Sequence, residues 1–476
     1  MLLERFEVPG LAHYSYAVGC PGAGAIAIVD PERNIDRYLA FAQANHVRIT
    51  HVLETHIHAD YASGARDLAT RAGATLALSA YDEGETYDVQ YEHQPLRDGD
   101  ALTLGRVRIV ARHTPGHTPE HLAFLVYDEA RTNETPIAML SGDFLFVGSL
   151  GRPDLLGEDA KRALARRLFA SVRATLSDLP DGIEIHPAHG AGSMCGAGMS
   201  GRPTSTLGYE RFANPYLDPT LDEATFVERI LGSVPPFPPY YRRMKTVNSV
   251  GPTPLADIPA HPALPATRFA ELTDAGHVVI DLRSQVAFDG AHIPGSFGIG
   301  AGPNLPVWAS WVVPYETPLL LVPGHPSEVE PSVAALRRIG LDDVVGFLEG
   351  GIEAWREAGG PMQQTALMQA PEVHERMTAG ANLRLLDVRS DREWADGHAP
   401  GAMHITTGEL AERLEEMPDH LGPIAVICGG GYRSVVAASV LQRAGYQNVI
   451  DVLGGMAAWR RAGLPVVTDQ PVATPG

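Results

Sequence analysis

The stretch Thr55-His56-Ile57-His58-Ala59-Asp60-Tyr61 follows the run Ile49–Leu53, which we interpret as a buried strand. Two imidazoles and a carboxylate at a strand end are suitable ligands for zinc, iron or manganese, because the strand aims them rigidly. A polar loop with chance histidines would look similar over this stretch alone. The further groups that a metal site needs follow in order, each at the end of an apolar strand: His117, Asp143 and His189. The sequence therefore predicts a metal site where several strands end.

Length and composition restrict the class of protein. The 476 residues suggest about three domains, and 45% hydrophobic with 20% charged residues is typical of a soluble globular chain. We find no apolar run of about 18 residues and no signal-peptide pattern in Met1–Arg5, so no membrane partner is expected. Cys20, Cys195 and Cys428 are few and far apart, which favours reduced thiols in the cytoplasm. The net charge of −20 argues against a nucleic-acid partner.

The chain divides into three predicted domains. Strands and helices alternate up to about residue 230, and proline then dominates from Val234 to about Pro265, where we expect a semi-rigid linker. Asp281-Leu282-Arg283-Ser284 recurs about 105 residues later as Asp387-Val388-Arg389-Ser390. Each copy alternates strands and helices, which predicts a small α/β domain with a mainly parallel sheet. The predicted bounds are 1–250 (with the linker from about 234), 262–362 and 371–470.

The motifs around the candidate ligands resemble those of the metallo-β-lactamase superfamily. They are T-H-x-H-x-D at residues 55–60, P-G-H-T at 115–118, G-D at 142–143 and P-x-H-G at 187–190. The resemblance implies an αβ/βα sandwich with the metal at one edge. Tyr61 stands where two-metal members usually carry a histidine, which favours a single-metal site.

A further segment, Gly148-Ser149-Leu150-Gly151-Arg152-Pro153-Asp154, resembles the G-x-x-G-R-x-D segment of persulfide dioxygenases within this superfamily. This resemblance implies one Fe(II) per chain, replaceable by zinc in recombinant protein, on a set of two imidazoles and one carboxylate: His56, His117 and Asp143. It also implies that His58 and Asp60 lie beside the iron and orient ligands and substrate. The residues predicted to contact the substrate there are Arg152, His189, Cys195 and Tyr61.

Two of these assignments have structural alternatives. Arg152 either contacts the anionic thiol carrier or forms an ion pair with Asp154. Cys195 lies in a glycine-rich loop after His189, where a thiol could carry sulfane sulfur near the iron. The alternative is a small, buried and inert residue, which is the usual state of a free cysteine.

Cys428 lies in Val426-Ile427-Cys428-Gly429-Gly430-Gly431-Tyr432-Arg433-Ser434, between a predicted strand and the helix Val435–Arg443. Backbone N–H groups and the positive helix end stabilise a thiolate there. We expect Arg433 to bind an oxyanion such as sulfite or thiosulfate, with the site completed by Gly429, Gly430, Gly431 and Tyr432. The loop and the repeated motifs resemble the rhodanese family of sulfurtransferases, which implies a persulfide on Cys428. A Cys-x5-Arg phosphatase is the rival interpretation.

The first repeat differs from the second at the positions of the nucleophile and of the anion-binding arginine. Pro323 aligns with Cys428 and Glu328 aligns with Arg433, so this copy has no nucleophile and carries a negative charge in place of the anion's partner. We predict that it is a catalytically inactive rhodanese copy.

Taken together, the chain resembles bacterial persulfide dioxygenase–rhodanese fusions. The resemblance implies oxidation of a low-molecular-weight thiol persulfide with O₂ to sulfite, coupled through Cys428 to the formation or use of thiosulfate in sulfide detoxification. It also implies a homo-oligomer. One alternative is a zinc-dependent thioester hydrolase of the glyoxalase II type with an accessory sulfurtransferase domain. Another is a sulfide or redox sensor in which Cys428 and Cys195 relay sulfur.

Overall fold

The computed structural model describes residues 1–8, 10–417 and 422–468. Contacts divide the chain into two units, one of residues 1–258 with 337–340 and the other of residues 259–336 with the chain from 341 onward. No helix among the described residues is long and apolar enough to cross a membrane. The three cysteines are free thiols.

The first unit contains two six-stranded sheets and a two-stranded ribbon. The strands of the first sheet, which has the order β1-β2-β3-β4-β5-β6, are β1 (Leu2–Val8), β2 (His13–Cys20), β3 (Ala25–Val29), β4 (Arg48–Leu53), β5 (Thr75–Ser79) and β6 (Gln94–Leu96). The remaining strands are β7 (Ala101–Leu104), β8 (Val107–His113), β9 (Leu122–Asp128), β10 (Ala138–Gly142), β11 (Leu145–Phe146), β12 (Ser149–Leu150), β13 (Glu184–Pro187) and β14 (Ser205–Thr206). The second sheet has the order β14-β13-β10-β9-β8-β7, and β11 pairs with β12.

Helices cover the outer faces of both sheets. The described helices of this unit are α1 (Asp36–Ala44), α2 (Ala65–Ala72), α3 (Glu158–Ser177), α4 (Leu207–Ala213), α5 (Glu223–Ser233) and α6 (Tyr240–Val250). Leu53 and Phe124 belong to the core between the two sheets. Tyr38 of α1 and Leu68 of α2 pack on the outer face of the first sheet, and Leu168 of α3 packs on that of the second. These layers form the αβ/βα sandwich that the motifs predict, and that prediction is confirmed.

The central strand β3 shows why the sheets lie between two apolar layers. Ile26 and Ile28 pack toward the helices, whereas Ala27 and Val29 pack toward the second sheet. A strand that is covered on both faces must be apolar at every position, so alternation is lost. Because apolar residues cover both faces of this sheet, the polar ligand residues lie in loops beyond the strand ends.

Part of the segment predicted as a linker has a different structure. Helix α6 lies within it and buries one side of its surface, including Tyr241, Met244 and Asn248. Helix α6 begins directly after the proline-rich segment Pro235–Pro239. A helix that started earlier would hold these prolines in its interior, where each would lack the N–H group that a helical hydrogen bond requires. Composition alone does not distinguish a proline-rich linker from a proline-rich approach to a packed helix. The three predicted domain bounds remain predictions.

The second unit contains two five-stranded sheets with entirely parallel pairing. The first copy consists of β15 (Ala263–Leu264), α7 (Ala266–Asp274), β16 (Val278–Asp281), α8 (Gln285–Gly290), β17 (Phe297–Gly298), α9 (Asn304–Val312), β18 (Leu319–Val322), α10 (Val329–Arg338), β19 (Val344–Leu348) and α11 (Gly351–Glu357). The second copy consists of β20 (Ala366–Gln369), α12 (Ala370–Thr378), β21 (Arg384–Asp387), α13 (Asp391–Ala395), β22 (Met403–His404), β23 (Ile424–Ile427), α14 (Tyr432–Arg443), β24 (Val449–Leu453) and α15 (Gly455–Arg461). The strand orders are β15-β19-β18-β16-β17 and β20-β24-β23-β21-β22, so the repeat is one fold used twice. This confirms the predicted pair of parallel α/β domains.

A tryptophan anchors the last helix of each copy. Trp355 and Trp459 are 3% and 0% exposed, and each indole N–H donates to a proline carbonyl, Pro361 at 3.0 Å and Pro465 at 2.9 Å respectively. Each ring therefore combines burial of a large apolar surface with a satisfied polar edge.

We expect Trp459→Ala to lower the free energy of unfolding by about 3–5 kcal/mol, because it removes a buried aromatic ring from the core of the second copy. Trp459→Phe should cost less, about 1–3 kcal/mol, since part of the ring remains while the Pro465 carbonyl loses its donor. Calorimetric unfolding of the full chain measures both. Equal melting profiles for Trp459→Ala and the unsubstituted protein would contradict this account.

Candidate metal and sulfur-transfer sites

Three of the predicted ligands converge at one end of the sandwich. His56 follows β4, His117 follows β8, and Asp143 follows β10 directly. Each offers one ligating atom, and these atoms all lie within 4.8 Å of one another. The Asp143 Oδ2 atom is 3.3 Å from His117 Nε2 and 4.0 Å from His56 Nε2. All three side chains are buried.

Hydrogen bonds to the outer atoms of these residues leave the inner atoms available. His117 Nδ1 lies 2.8 Å from the Arg152 carbonyl, which can only accept, so Nδ1 carries the proton and Nε2 carries the lone pair. His117 Nε2 and Asp143 Oδ2 have no hydrogen-bond partner among the described residues, although both are buried. Buried polar atoms without a partner are costly. Two imidazole nitrogens and a carboxylate oxygen that face one point therefore fit a divalent metal ion.

Burial also keeps the two histidines in the form that binds metal. Burial is the largest cause that lowers the pKa of His56 well below 6.5, with further lowering by His58 and His117. The pKa of His117 is lowered in the same way, first by burial and then by His121. Neutral imidazoles at neutral pH can donate a lone pair to a cation.

His58 lies beside the ligand set but is directed elsewhere. Its Nε2 atom is 3.1 Å from Asp30 Oδ1. Burial alone would lower the pKa of His58, but the carboxylates of Asp30, Glu54 and Asp60 together outweigh burial and raise it. The neighbouring residue Asp30 was not singled out in the sequence, because its motif Val29-Asp30-Pro31 looks like an ordinary strand end.

His189 bridges two carboxylates. Its Nδ1 atom is 2.8 Å from Asp143 Oδ1, and its Nε2 atom is 2.8 Å from Asp60 Oδ2. Although burial lowers the pKa of His189, the carboxylates of Asp143 and Asp60 raise it well above 6.5. The structure thus brings His189 and Asp60 together with the ligand Asp143, with both ring nitrogens of His189 already engaged.

Tyr61 is fully buried, and its hydroxyl donates to the Asp30 carbonyl at 3.3 Å. Its ring packs against His13 and His58, with centroid distances of 4.1 and 4.5 Å. These contacts use both the ring faces and the hydroxyl inside the protein. The substrate contact assigned to Tyr61 from the sequence stays a prediction.

Arg152 forms the ion pair that was its structural alternative. Its Nε and Nη2 atoms donate to Asp154 at 2.7 and 2.8 Å. The remaining N–H groups donate to the carbonyls of Met194, Pro235 and Pro236. A guanidinium has five N–H groups, and all five are used, so the geometry leaves none for a thiol carrier. The structure thus shows the ion-pair alternative, which connects separate loops, and substrate contact by Arg152 stays a prediction.

Cys195 lies near the metal ligands, and its thiol is buried. Its sulfur belongs to a second group of possible ligating atoms with Asp60 and His189, all within 4.8 Å of one another. The thiol is 1% exposed and lies 3.6 Å from the Tyr241 hydroxyl. Burial, followed by the charges of Asp60 and Asp143, raises the pKa of Cys195 well above 9.0, which keeps the thiol protonated.

Helix α6 supports the metal-binding loop in a way that the sequence did not reveal. Asn248 Nδ2 donates to the carbonyls of His58 and Tyr61, both at 2.8 Å, and Asn248 Oδ1 accepts from Ser63 N at 2.8 Å. Lys245 Nζ donates to the Ile57 carbonyl at 3.0 Å. The irregular loop has no strand partner for these backbone groups, so the helix satisfies them. Buried polar residues at a spacing of three to four, Tyr241, Lys245 and Asn248, were the signal that could have indicated this face.

The Cys428 loop has the geometry expected for an anionic sulfur. Cys428 follows β23, and its sulfur accepts from Gly431 N at 3.1 Å, while Ser434 Oγ lies 3.5 Å away. Gly431 has a φ of 112°, a conformation that favours glycine, and it caps α14. Gly430, Gly431 and Tyr432 line a cavity together with Cys428.

Arg433 forms an ion pair, and its predicted contact with an oxyanion stays a prediction. Its Nη1 and Nη2 atoms donate to the two carboxylate oxygens of Glu393 at 2.5 and 2.7 Å. The Arg433 hydrogen bonds are the largest cause that lowers the pKa of Glu393 to about 2. A Cβ at Gly429 would lie 3.0 Å from Arg433 Nη2, so glycine there allows this pair to form against the loop. Arg433 lines the cavity but is already paired with Glu393, a residue that sequence analysis missed.

The equivalent loop of the first copy is filled by its own side chain. Glu328 Oε2 accepts from Gly324 N at 2.9 Å and from His325 N at 3.1 Å. Its carboxylate therefore uses loop N–H groups of the kind that would otherwise face an anion. Together with Pro323 in place of a nucleophile, this contact supports the predicted loss of chemistry in the first copy.

Comparison with known proteins agrees with this architecture. The metallo-beta-lactamase superfamily matches residues 8–189, and the rhodanese-like domain matches residues 265–358 and 369–462. A probable metallo-hydrolase of Burkholderia pseudomallei is 31% identical over 40% of this chain and 72% of that protein. The chain therefore belongs to the metallo-beta-lactamase superfamily, and it carries two tandem rhodanese-like domains.

Relatives of known activity fall into two groups. The mitochondrial persulfide dioxygenase ETHE1 of Bos taurus is 26% identical over 47% of this chain and 78% of that protein. The cytoplasmic hydroxyacylglutathione hydrolase of Arabidopsis thaliana is 31% identical over 39% of this chain and 67% of that protein. A crystal structure described as a metallo-beta-lactamase from Staphylococcus aureus is 34% identical with a TM-score of 0.66, and it covers 73% of this chain and 98% of its own. The chain is an ETHE1-like fusion of a metallo-beta-lactamase domain with rhodanese-like domains.

We expect the Asn248→Ala protein to stay soluble but to bind less metal. The substitution removes the hydrogen-bond donor of the His58 and Tyr61 carbonyls in the ligand loop. Supporting residues of this kind change metal affinity by about 10–100-fold. Thr246→Ala, on the same helix but exposed, is the matched control. Metal titration of both variants measures the effect, and equal affinities would contradict a supporting role for α6.

Proposed function

We propose that this protein is an iron-dependent persulfide dioxygenase with an attached sulfurtransferase. The observation that carries the proposal is the buried group of His56, His117 and Asp143, whose ligating atoms face one point. Two imidazoles and one carboxylate form the ligand set of non-haem Fe(II) oxygenases. The presence of a rhodanese-like Cys428 loop on the same chain supports sulfur as the substrate element.

The overall reaction is RSSH + O₂ + H₂O → RSH + SO₃²⁻ + 2H⁺. When bound, Fe(II) supplies the reaction of O₂ with the terminal sulfur. His189 holds Asp143 through Oδ1, which leaves Oδ2 directed toward the other ligands. Burial of the histidines keeps them neutral, which is the form that binds a metal ion.

The proposed role of Cys428 is to carry sulfane sulfur. The Cys428 thiolate attacks the outer sulfur of thiosulfate, a new S–S bond forms on the cysteine, and the S–S bond of thiosulfate breaks. Sulfite leaves with the electron pair, so that charge and atoms balance. The reverse transfer joins sulfite to the Cys428 persulfide. The Gly431 N–H stabilises the negative sulfur at the start and end of either direction.

A glyoxalase II-type thioester hydrolase is the second candidate. Asp60, His189 and Cys195 form another group of possible ligating atoms, which favours a second metal, as does similarity to hydroxyacylglutathione hydrolase. Against this, both nitrogens of His189 are bound by carboxylates, and Tyr61 contributes no ligand. Elemental analysis separates the candidates: one iron per chain supports the dioxygenase, and two zinc ions with thioester cleavage support the hydrolase.

We expect anaerobically iron-loaded protein to consume one O₂ per glutathione persulfide and to release sulfite. His117→Ala should reduce the rate by at least about 100-fold, because it removes a ligand. His46→Asn, at an exposed histidine before β4, is the control and should keep the rate. An oxygen electrode and sulfite determination measure this, and absence of O₂ uptake by protein that contains one iron would rule out the dioxygenase.

We expect Cys428→Ser to abolish transfer from thiosulfate to cyanide and to leave O₂ uptake from glutathione persulfide intact. The serine hydroxyl cannot form a persulfide, whereas the metal ligands are unchanged. Cys20→Ser is the matched control, since Cys20 lies at the end of β2 outside the second unit. Full transfer activity in Cys428→Ser would show that another group carries the sulfur.

A further inference from the structure

The cavity beside Cys428 has a wall that belongs to both rhodanese-like copies. It encloses about 430 Å³. The second copy contributes Cys428, Arg433 and Asp451, and helix α8 of the first copy contributes Gln285, Val286 and Asp289. The copy without a nucleophile therefore forms part of the site of the copy that has one.

Specific contacts hold α14, the helix after the Cys428 loop, against the first copy. The Tyr432 hydroxyl donates to the Gly300 carbonyl at 2.9 Å, and the Arg443 guanidinium donates to the Gly295 carbonyl. Gln442 Nε2 donates to the Thr365 hydroxyl at 3.2 Å, and Thr365 N donates to the Asp289 carbonyl at 2.9 Å. These bonds fix Asp289 relative to Cys428.

The Asp289 carboxylate is unusual in this wall because it is buried without compensation. The residue is 1% exposed, and neither carboxylate oxygen has a hydrogen-bond partner among the described residues. Asp451 Oδ1 shares this lack of a partner. Arg433, the cation of the cavity, has its two terminal nitrogens on Glu393. A buried carboxyl without a partner is most stable in its neutral form.

The titratable groups around Asp289 come from several elements. Asp451 lies on β24, Cys428 follows β23, Tyr432 and Arg433 begin α14, and His292 follows α8. Burial, followed by the charge of Asp451, raises the pKa of Asp289 to about 8, while the Thr365 hydroxyl opposes this shift without hydrogen-bond geometry to either oxygen. Burial raises the pKa of Asp451 to about 6. Asp289 is thus mostly neutral at pH 7 and gains a negative charge as the pH rises through about 8.

We propose that Asp289 of the first rhodanese-like copy determines which sulfur compounds reach Cys428. While the carboxyl is neutral, the cavity accepts dianionic thiosulfate or sulfite. Once it is ionised, the cavity disfavours anions relative to neutral molecules. This inference rests on the proposed sulfurtransferase function only for the identity of the sulfur compounds, because the charge itself acts on any reagent that approaches Cys428.

Alkylation of Cys428 tests the charge without requiring sulfur transfer. The thiolate displaces iodide from neutral iodoacetamide or from anionic iodoacetate, and the ratio of the two rates cancels the fraction of thiolate. Mass spectrometry of the Cys428 peptide follows each rate in the full-length protein. We expect the iodoacetamide-to-iodoacetate ratio to rise roughly fivefold between pH 7 and pH 9, the effect of one nearby charge on a monoanion.

Two substitutions and one control identify the group responsible. In Asp289→Asn the ratio should stay constant over this pH range, because the neutral amide cannot ionise. In Asp451→Asn the rise should begin at lower pH, because loss of a like charge lowers the pKa of Asp289. Asp274→Asn, at an exposed acid at the end of α7, should match the unsubstituted protein. A constant ratio in the unsubstituted protein, the same rise in Asp289→Asn, or an unmoved rise in Asp451→Asn would overturn the inference.

Transfer from thiosulfate to cyanide provides the second measurement. We expect the KM for thiosulfate to increase roughly tenfold between pH 7 and pH 9 with little change in kcat, and to stay constant in Asp289→Asn. If no sulfur is transferred but the alkylation ratio still depends on Asp289, the sulfurtransferase function is rejected. The effect of the Asp289 charge on access to Cys428 is then kept. If transfer is active but neither the KM for thiosulfate nor the alkylation ratio changes in Asp289→Asn, the role of Asp289 is rejected and the sulfurtransferase function is kept.

Discussion

The Asp30 carboxylate is the constraint on which the metal-binding loop depends. It accepts from Thr55 N at 2.7 Å, from Thr55 Oγ1 at 2.9 Å and from His58 Nε2 at 3.1 Å. Because the Thr55 hydroxyl proton is used on Asp30, Thr55 Oγ1 accepts from His56 Nδ1 at 2.9 Å, and the lone pair of His56 falls on Nε2. One buried acid thus sets the tautomer of a ligand and the direction of its neighbour. In a low-dielectric interior such a network is costly to break.

Burial favours the neutral form at both sites, although it shifts the pKa values in opposite directions. Around His56 and His117 it favours neutral imidazoles, which are the forms that bind metal. Around Asp289 it favours a neutral carboxyl, which removes one negative charge from the wall of the Cys428 cavity at neutral pH. At His189 it is outweighed by two carboxylates. The protein uses the same physical effect in each place, and the neighbouring charges decide its outcome.

The two rhodanese-like copies separate fold from chemistry. Both have five parallel strands in equivalent order and a buried tryptophan bound to a proline carbonyl. One copy retains Cys428 with a loop N–H directed at its sulfur, and the other fills its loop with the Glu328 carboxylate. The inactive copy still supplies Asp289 to the wall of the shared cavity. A copy that has proline at the position of the nucleophile therefore still lines the cavity beside Cys428.

The sequence by itself determined the sandwich, the repeat, the candidate ligands His56, His117 and Asp143, and the absence of a nucleophile in the first copy. The repeat and the positions of the ligand candidates follow from local patterns, since apolar strands end where polar residues begin. The sandwich and the choice of ligand set are what the resemblance of the motifs to a known family implies. Only the tertiary structure decided that α6 supports the ligand loop, that Arg152 is used up by Asp154 and by backbone carbonyls, and that Asp289 faces the Cys428 cavity. Those contacts join residues that are far apart along the chain. Their existence depends on how packed elements meet, which local spacing does not specify.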